Sequence, residues 1–192
     1  MSAQVRMSLL DELGIDRACT GNLSSFIDLF EKWNRSINLS AASTRNELIE
    51  HVEDSLHVVP HLRASRRVLD VGSGGGFPVV VAAICLPETD FVALEPVHKK
   101  HAFLKTAARE LELGNLTARA ERLEDHDGRD YDVAMSRATF DLKEWLAMAV
   151  PFVVKGGLVI GFEAIPRTDL GEVQRCSYAL NGKQRSLVLL RT

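Results

Sequence analysis

Cysteine is scarce in this chain and shows no pairing: Cys19, Cys85 and Cys176 are far apart and odd in number, without the spacing of a zinc site or a redox motif. They are expected to be small core residues, and no metal site is expected. Long apolar runs are missing as well. No stretch approaches the roughly 18 to 20 residues a membrane helix requires. The opening MSAQVRMSLLDELG carries acidic residues where a secretory signal has its apolar core. The expectation is a cytoplasmic protein without a membrane partner. There is no excess of positive charge either: 23 Lys and Arg against 26 Asp and Glu leave a net charge of −3. A nucleic-acid partner would therefore have to be met by a local patch, and two short ones exist, at Arg63, Arg66 and Arg67 and along His98, Lys99, Lys100, His101, Lys105 and Arg109. Repeats, low-complexity stretches and linkers are also lacking.

What remains is an ordinary globular composition, 46% hydrophobic and 26% charged over 192 residues, enough for one core. Two amphipathic helices are expected first. In one, Leu23, Phe26, Ile27, Phe30 and Trp33 recur at helical spacing behind the candidate caps Asn22 and Ser24. The other starts at Thr44, which has capping-box spacing to Glu47, and runs through Leu48, Val52, Leu56 and Val59 to Pro60. From residue 66 short apolar runs alternate with helical stretches. Val68–Val71, Phe91–Leu94, Leu116–Ala120, Val133–Met135 and Leu158–Phe162 read as strands of a parallel sheet buried on both faces. Helices are expected over Val79–Leu86, Lys99–Leu113 and Leu142–Phe152. Cys176–Leu180 and Ser186–Leu190 flank Asn181-Gly182, a turn dipeptide, and imply a terminal antiparallel hairpin.

The most informative stretch runs from Arg67 to Pro78: an apolar strand, Asp70, and glycines at 72, 74 and 76. Glycine lets a ligand approach the backbone, and a helix start offers free N–H groups. A dinucleotide fingerprint would place its third glycine at 77, where Phe77 stands. Asp70 would repel a pyrophosphate but suits, directly or through water, the ammonium group of S-adenosylmethionine, so the spacing favours that cofactor over NAD. The second strand ends at Glu95, placed to accept hydrogen bonds from ribose hydroxyls. Adenine should lie near Ala120-Glu121-Arg122, beyond the third strand. Gly72, Gly74, Gly76, Phe77 and Glu95 are thus candidate cofactor residues. The fold class expected is α/β, a Rossmann-like class I methyltransferase with a mostly parallel sheet, a C-terminal antiparallel hairpin and N-terminal helices. It is read as one domain, with residues 1–62 as a helical extension and 63–192 as the core.

Several stretches resemble the glucose-inhibited division protein B family, the methyltransferases that make 7-methylguanosine in small-subunit ribosomal RNA. Trp33-Asn34-Arg35-Ser36-Ile37-Asn38-Leu39-Ser40 is similar to its W-N-x-x-x-N-L-T signature and His51-Val52-Glu53-Asp54-Ser55-Leu56 to its H-x-x-D-S-L. The glycine motif, Lys99-Lys100 with Phe103-Leu104, Arg119-Ala120-Glu121, and Tyr131-Asp132-Val133 leading to Ser136-Arg137-Ala138 extend the likeness over nearly the whole chain. The resemblance implies that Gly72, Phe77, Ala120, Glu121 and Arg137 contact S-adenosylmethionine, and that the partner is small-subunit ribosomal RNA or the 30S subunit. Arg137, just after the fourth strand, could hold the methionine carboxylate or an RNA phosphate. Trp33 reads as core, and Asn34 and Asn38 as residues that turn the chain. The chain departs from the family pattern at Val79-Val80-Val81, at Val97-His98, at Val154-Lys155-Gly156-Gly157 and at Gly161-Phe162-Glu163-Ala164, the last removing a lysine expected at the substrate mouth.

No catalytic residue is expected. Guanine N7 has an in-plane lone pair and no proton, so methylation there needs orientation rather than a general base. The chain has no Asn/Asp-Pro-Pro-Tyr/Phe motif for exocyclic amines and no cysteine placed to attack a pyrimidine. The rival readings are a small-molecule methyltransferase, which an apolar pocket without a basic rim would favour, and a non-catalytic S-adenosylmethionine-binding module. A monomer is expected, since no long apolar stripe is left uncovered.

Overall fold

The computed structural model describes residues 4–42 and 44–192; the first three residues of the expected N-terminal extension, and Ser43, lie outside them. Among the described residues seven strands form one sheet: β1 (Arg67–Val71), β2 (Asp90–Leu94), β3 (Leu116–Arg119), β4 (Tyr131–Ser136), β5 (Val153–Glu163), β6 (Gln174–Leu180) and β7 (Lys183–Arg191). Their order is β3-β2-β1-β4-β5-β7-β6, with β1 to β5 parallel and the last hairpin antiparallel, β7 lying between β5 and β6. Every expected strand is present. The reversal at Asn181-Gly182 has positive φ at both residues, as a tight hairpin with right-handed twist requires.

Side chains alternate across the sheet, and that alternation divides the core. Val68, Phe91, Ala93, Val133, Met135 and Ile160 face one apolar cluster, while Leu69, Val71, Val92, Leu94, Ala134 and Val159 face the other. The first cluster takes the helices α1 (Met7–Glu12), α2 (Thr20–Ile37), α3 (Arg45–Leu56), α4 (Val59–Leu62), α5 (Val79–Cys85) and α6 (His98–Glu110). Val79-Val80-Val81 are fully buried there, so a run that departs from the family pattern serves packing. On the other face α7 (Leu142–Ala149) buries Trp145, whose indole N–H donates to the Ile160 carbonyl at 2.8 Å. Cys19 belongs to the first cluster, and Cys85 and Cys176 pack against it.

The N-terminal helices depart from the expected boundaries. A short helix, α1, precedes the two foreseen; at six residues it is too brief to show a period, yet it buries Leu9 and Leu10. The next, α2, begins at Thr20, so Asn22 and Ser24 lie inside it. Asp16 caps the preceding turn by accepting from the Ala18 amide at 2.9 Å, and the helix continues from that turn. Thr44 and Glu47 form the expected capping box, but α3 stops at Leu56 and Pro60 falls in the first turn of α4, where a missing N–H leaves no bond unmade. Asn38 caps α2 in the left-handed conformation. The Asn34 side chain accepts from the Leu39 and Ser40 amides and donates to the Ala42 carbonyl, and Trp33 packs on Phe103, so this signature shapes the turn into α3.

Candidate cofactor cleft

β1 is flanked by β2 on one side and β4 on the other, so the chain leaves β1 in one direction and returns past it in the other. Ligands of open α/β sheets bind at the carboxyl edge of such a switch point. A cleft of about 820 Å³ lies there. Its lining comes from the glycine turn after β1, from Glu95 to Val97 after β2, and from Arg137 to Thr139 after β4. α3 adds Glu50, His51 and Asp54, and the hairpin end adds Tyr178, Leu180 and Arg185. A second hollow, about 590 Å³, opens at the amino ends of β2 and β3 beside Asp90 and Asn115, away from the expected motifs.

The glycine turn is held from both sides. The Gly72 and Ser73 amides donate to the Leu94 carbonyl at 2.9 and 3.1 Å, and the Gly74 amide donates to Glu95 Oε2 at 2.8 Å. Gly75 is pressed against the ring of Phe30, where a Cβ would come within 2.5 Å of Cε2. At Gly74, by contrast, φ is +54° and an added Cβ would meet only the Gly72 carbonyl, at 3.8 Å, so this residue opens onto free space. Gly76 is buried behind the turn against Val80 and does not line the cleft. The Phe77 ring forms the cleft wall, fixed by Phe26 and Phe30 of α2 with centroids 5.2 and 5.3 Å away.

Charge in the cleft is mostly committed. Glu95 is buried and also accepts from the Val97 amide at 2.8 Å. Glu163 accepts from Arg175 and from the Arg167 amide. Asp54 accepts from Arg137 and from the Tyr178 hydroxyl. Asp70, only 1% exposed, has a buried Oδ2 without a hydrogen-bond partner among the described residues. Burial pushes its carboxyl up to about 7, the Glu95 charge adding to the rise and Ser73 and Arg137 opposing it. Burial and the neighbouring Arg137 hold the His51 imidazole below its ordinary value.

The structure thus brings Gly72, Gly74, Phe77, Glu95 and Arg137 around one cavity and leaves Ala120 and Glu121 beside it. The Glu95 amide donates to the Arg119 carbonyl at 3.0 Å, which sets Ala120 next to Glu95 at the same edge. Glu121 is engaged by the buried His126 at 2.6 Å. Asp54, Tyr178, Lys100 and Arg185 were not marked as site residues by the sequence, although Asp54 and Lys100 lie in stretches that carried the resemblance. Of the two basic patches, Lys100 from the second reaches the cleft, while Arg63 caps the Leu13 and Gly14 carbonyls and Arg67 lies over the Tyr131 ring.

A sequence model of the family described as rRNA small subunit methyltransferase G matches residues 20–189. The chain belongs to this family. Relatives of the same description include one from Burkholderia pseudomallei (strain 668), 39% identical over 171 residues that cover 84% of this chain and 74% of the relative. Another, from Geobacter sp. (strain M21), is 37% identical over 158 residues, 79% of this chain and 73% of its own length. Among solved structures, a methyltransferase from Geobacter sulfurreducens superposes with a TM-score of 0.64 at 14% identity, over all of both chains. The O-methyltransferase TomG from Streptomyces achromogenes, in complex with S-adenosylmethionine, gives 0.63 at 16% identity, over 95% of this chain and 93% of its own. At that identity the likeness shows the fold, which is the class I methyltransferase fold. Within the family pattern, the cleft of this member has Lys100, Arg137 and Arg185 as cations although the lysine expected at the end of β5 is absent. No helix among the described residues is long and apolar enough to cross a membrane.

Proposed function

We propose that this chain methylates N7 of a guanosine in small-subunit (16S) ribosomal RNA, with S-adenosylmethionine as donor, acting on the RNA or the 30S subunit as a cytoplasmic monomer. The observation that carries the reading is one cleft at the carboxyl edge of β1 and β4, lined by an open glycine and a poorly exposed arginine, with a buried, unpartnered carboxylate at the end of β1 behind the glycine turn. The residues fit the cofactor: Gly74 leaves space for it, Asp70 Oδ2 lacks a partner that a cationic ammonium would provide, and Glu95 can accept from ribose hydroxyls with its remaining lone pairs. Ala120 and Glu121 stand at the neighbouring strand end for adenine, and Arg137 is available for an anionic group. Gly72 and Gly76 shape the turn. The reading treats residues 1–62 as a helical extension and 63–192 as the Rossmann-like core of a single domain.

When bound, S-adenosylmethionine supplies an electrophilic methyl group. The work left to the protein is to bind, orient and exclude water. The turn amides and Phe77 define one wall, α3 closes the opposite side, and Lys100 and Arg185 offer cations to a phosphate backbone. Alignment of donor and acceptor can be worth on the order of 7 kcal/mol or more, so no proton-transfer residue is required. The cationic lining weighs against a small-molecule methyltransferase, for which a pocket without a basic rim was expected.

Glu95→Ala is expected to weaken S-adenosylmethionine binding by about 1 to 3 kcal/mol, since a buried charged acceptor is lost. Titration calorimetry checks this, and unchanged affinity would remove Glu95 from the ribose. The direct test of function is transfer of labelled methyl to small subunits lacking their native 7-methylguanosine, with naked ribosomal RNA alongside and nucleosides analysed afterwards. Labelled 7-methylguanosine is the expected product. Cofactor binding with no RNA labelling would overturn the substrate and leave the two rival readings.

A further inference from the structure

Asp54 is a buried carboxylate in the helical layer, not in the sheet edge that carries the glycine turn. It lies on α3, two turns from the capping box, where the i, i+3 spacing places it beside His51 on the cleft side of the helix. Its Oδ2 accepts from Arg137 Nη1 at 3.0 Å, its Oδ1 accepts from the Tyr178 hydroxyl at 2.8 Å, and Arg185 Nε stands 3.9 Å from Oδ1. These partners come from the loop after β4, from β6 and from β7. The tyrosine is itself immobilised: its ring stacks on His57, with centroids 3.7 Å apart. Burial first and the adjoining Asp54 charge second push its hydroxyl up, so it remains a proton donor.

Arg137 depends on this arrangement. Its side chain is only 15% exposed and its guanidinium lies over the Phe77 ring, 5.3 Å from the centroid. A guanidinium so far removed from water needs a counter-charge, and Asp54 is the only carboxylate that bonds it among the described residues. One N–H is used. The remaining donors of the planar fork have no hydrogen bond within the described residues, which leaves them for a bidentate anion. The anion can be narrowed. Asp70 pairs with Met135 in the β1–β4 register, two residues before Arg137, and the arginine charge opposes the effect of burial on that carboxyl, so a negative and a positive group lie at the same sheet edge, one on each strand. Ammonium and carboxylate separated by one carbon, the head of an α-amino acid, match that pair. An RNA phosphate meets the rim of a cleft and has no ammonium to offer Asp70.

We propose that Asp54 is the positioning residue that presents Arg137 to the carboxylate of the methionine moiety, with Tyr178 holding Asp54 in place. This rests on the cofactor reading above and adds that the N-terminal helical layer completes the cofactor site. Neutralising Arg137 while the cleft is empty, Asp54 also lets the guanidinium stay buried and preset, so little rotamer entropy is lost on binding.

The test compares S-adenosylhomocysteine with 5′-methylthioadenosine, which keeps the adenosine and thioether but has no amino-acid head. Calorimetry on the full chain gives the ratio of their dissociation constants. Asp54→Ala and Arg137→Ala are each expected to weaken S-adenosylhomocysteine by about tenfold or more while leaving methylthioadenosine unchanged, and the double variant should be no worse than Arg137→Ala. Tyr178→Phe keeps the stacked ring and should show a smaller loss confined to S-adenosylhomocysteine, so the claim stays testable if Asp54→Ala does not fold. A general weakening of the fold would lower both ligands together and overturn the positioning role. If Arg137→Ala loses the preference and neither Asp54→Ala nor Tyr178→Phe does, the positioning role falls and the cofactor reading stands. If Arg137→Ala keeps the wild-type ratio, Arg137 does not hold the carboxylate and the assignment fails at its base.

Discussion

Gly74→Val should leave a folded protein with no measurable affinity for S-adenosylmethionine. The two halves of that expectation come from the same geometry. At φ +54° a β-branched residue is strained by roughly 1 to 3 kcal/mol, which a chain of this size can tolerate. No buried side chain stands in the way, since the nearest atom to an added Cβ is the Gly72 carbonyl at 3.8 Å. The valine methyl groups therefore project into the space where the ligand backbone contact is made. Its neighbour is the control: Gly75→Ala drives a Cβ to 2.5 Å from the fully buried Phe30 ring, and should cost stability before it costs binding. Thermal unfolding and calorimetry on both variants separate the effects. Retained cofactor binding in Gly74→Val would show that this turn is not the site.

Asp70→Asn should remove a fall in stability that the wild type shows between about pH 4 and pH 7. With its carboxyl at about 7 in the fold and near 4 in the unfolded chain, Asp70 keeps a proton on folding that the unfolded chain has already released. Across that window the native state binds more protons, so stability falls as pH rises. The loss totals on the order of 4 kcal/mol by neutrality and is constant above it. Asparagine has nearly the same shape and no charge, so the variant should gain on the wild type as pH climbs from about 4 to about 7. Urea denaturation of both proteins across this range measures the difference, and parallel curves would mean that Asp70 is not the group holding the proton. The same proton competes with a cationic ligand. Affinity for S-adenosylhomocysteine, whose ammonium would face Asp70, should tighten as pH rises from 6 to 8, and Asp70→Asn should flatten that dependence.

Much of the framework was legible in the residues. Central parallel strands are buried on both faces, so Val68–Val71 or Phe91–Leu94 read as strands without any knowledge of their neighbours. Thr44 and Glu47 announce the start of α3 because a capping box is made within four residues. Boundaries set by contacts elsewhere were not legible. The start of α2 was misread because Asp16 caps the turn before it, and the end of α3 because Pro60 is as acceptable in the first turn of a new helix as after an old one. Of the site, the glycine turn and Glu95 were readable from spacing after a strand. The bonds from Asp54 to Arg137 and Tyr178 carry no such signal, for they join positions 83 and 124 residues apart.

The alternation of strands and helices, the turn at Gly72 to Gly76 and the acidic end of β2 are written in the order of the residues, because hydrophobic period and backbone conformation are properties of neighbouring residues. Which charges are spent and which are free depends instead on the folded arrangement. Glu163 is taken up by arginine and an amide, Glu95 is fixed by one amide on each oxygen with lone pairs to spare, Asp70 is left with a bare oxygen and a raised carboxyl, and Arg137 is held by a helix from the N-terminal part of the chain. Those outcomes depend on distance and on exclusion of water, and neither quantity exists until the chain has closed on itself.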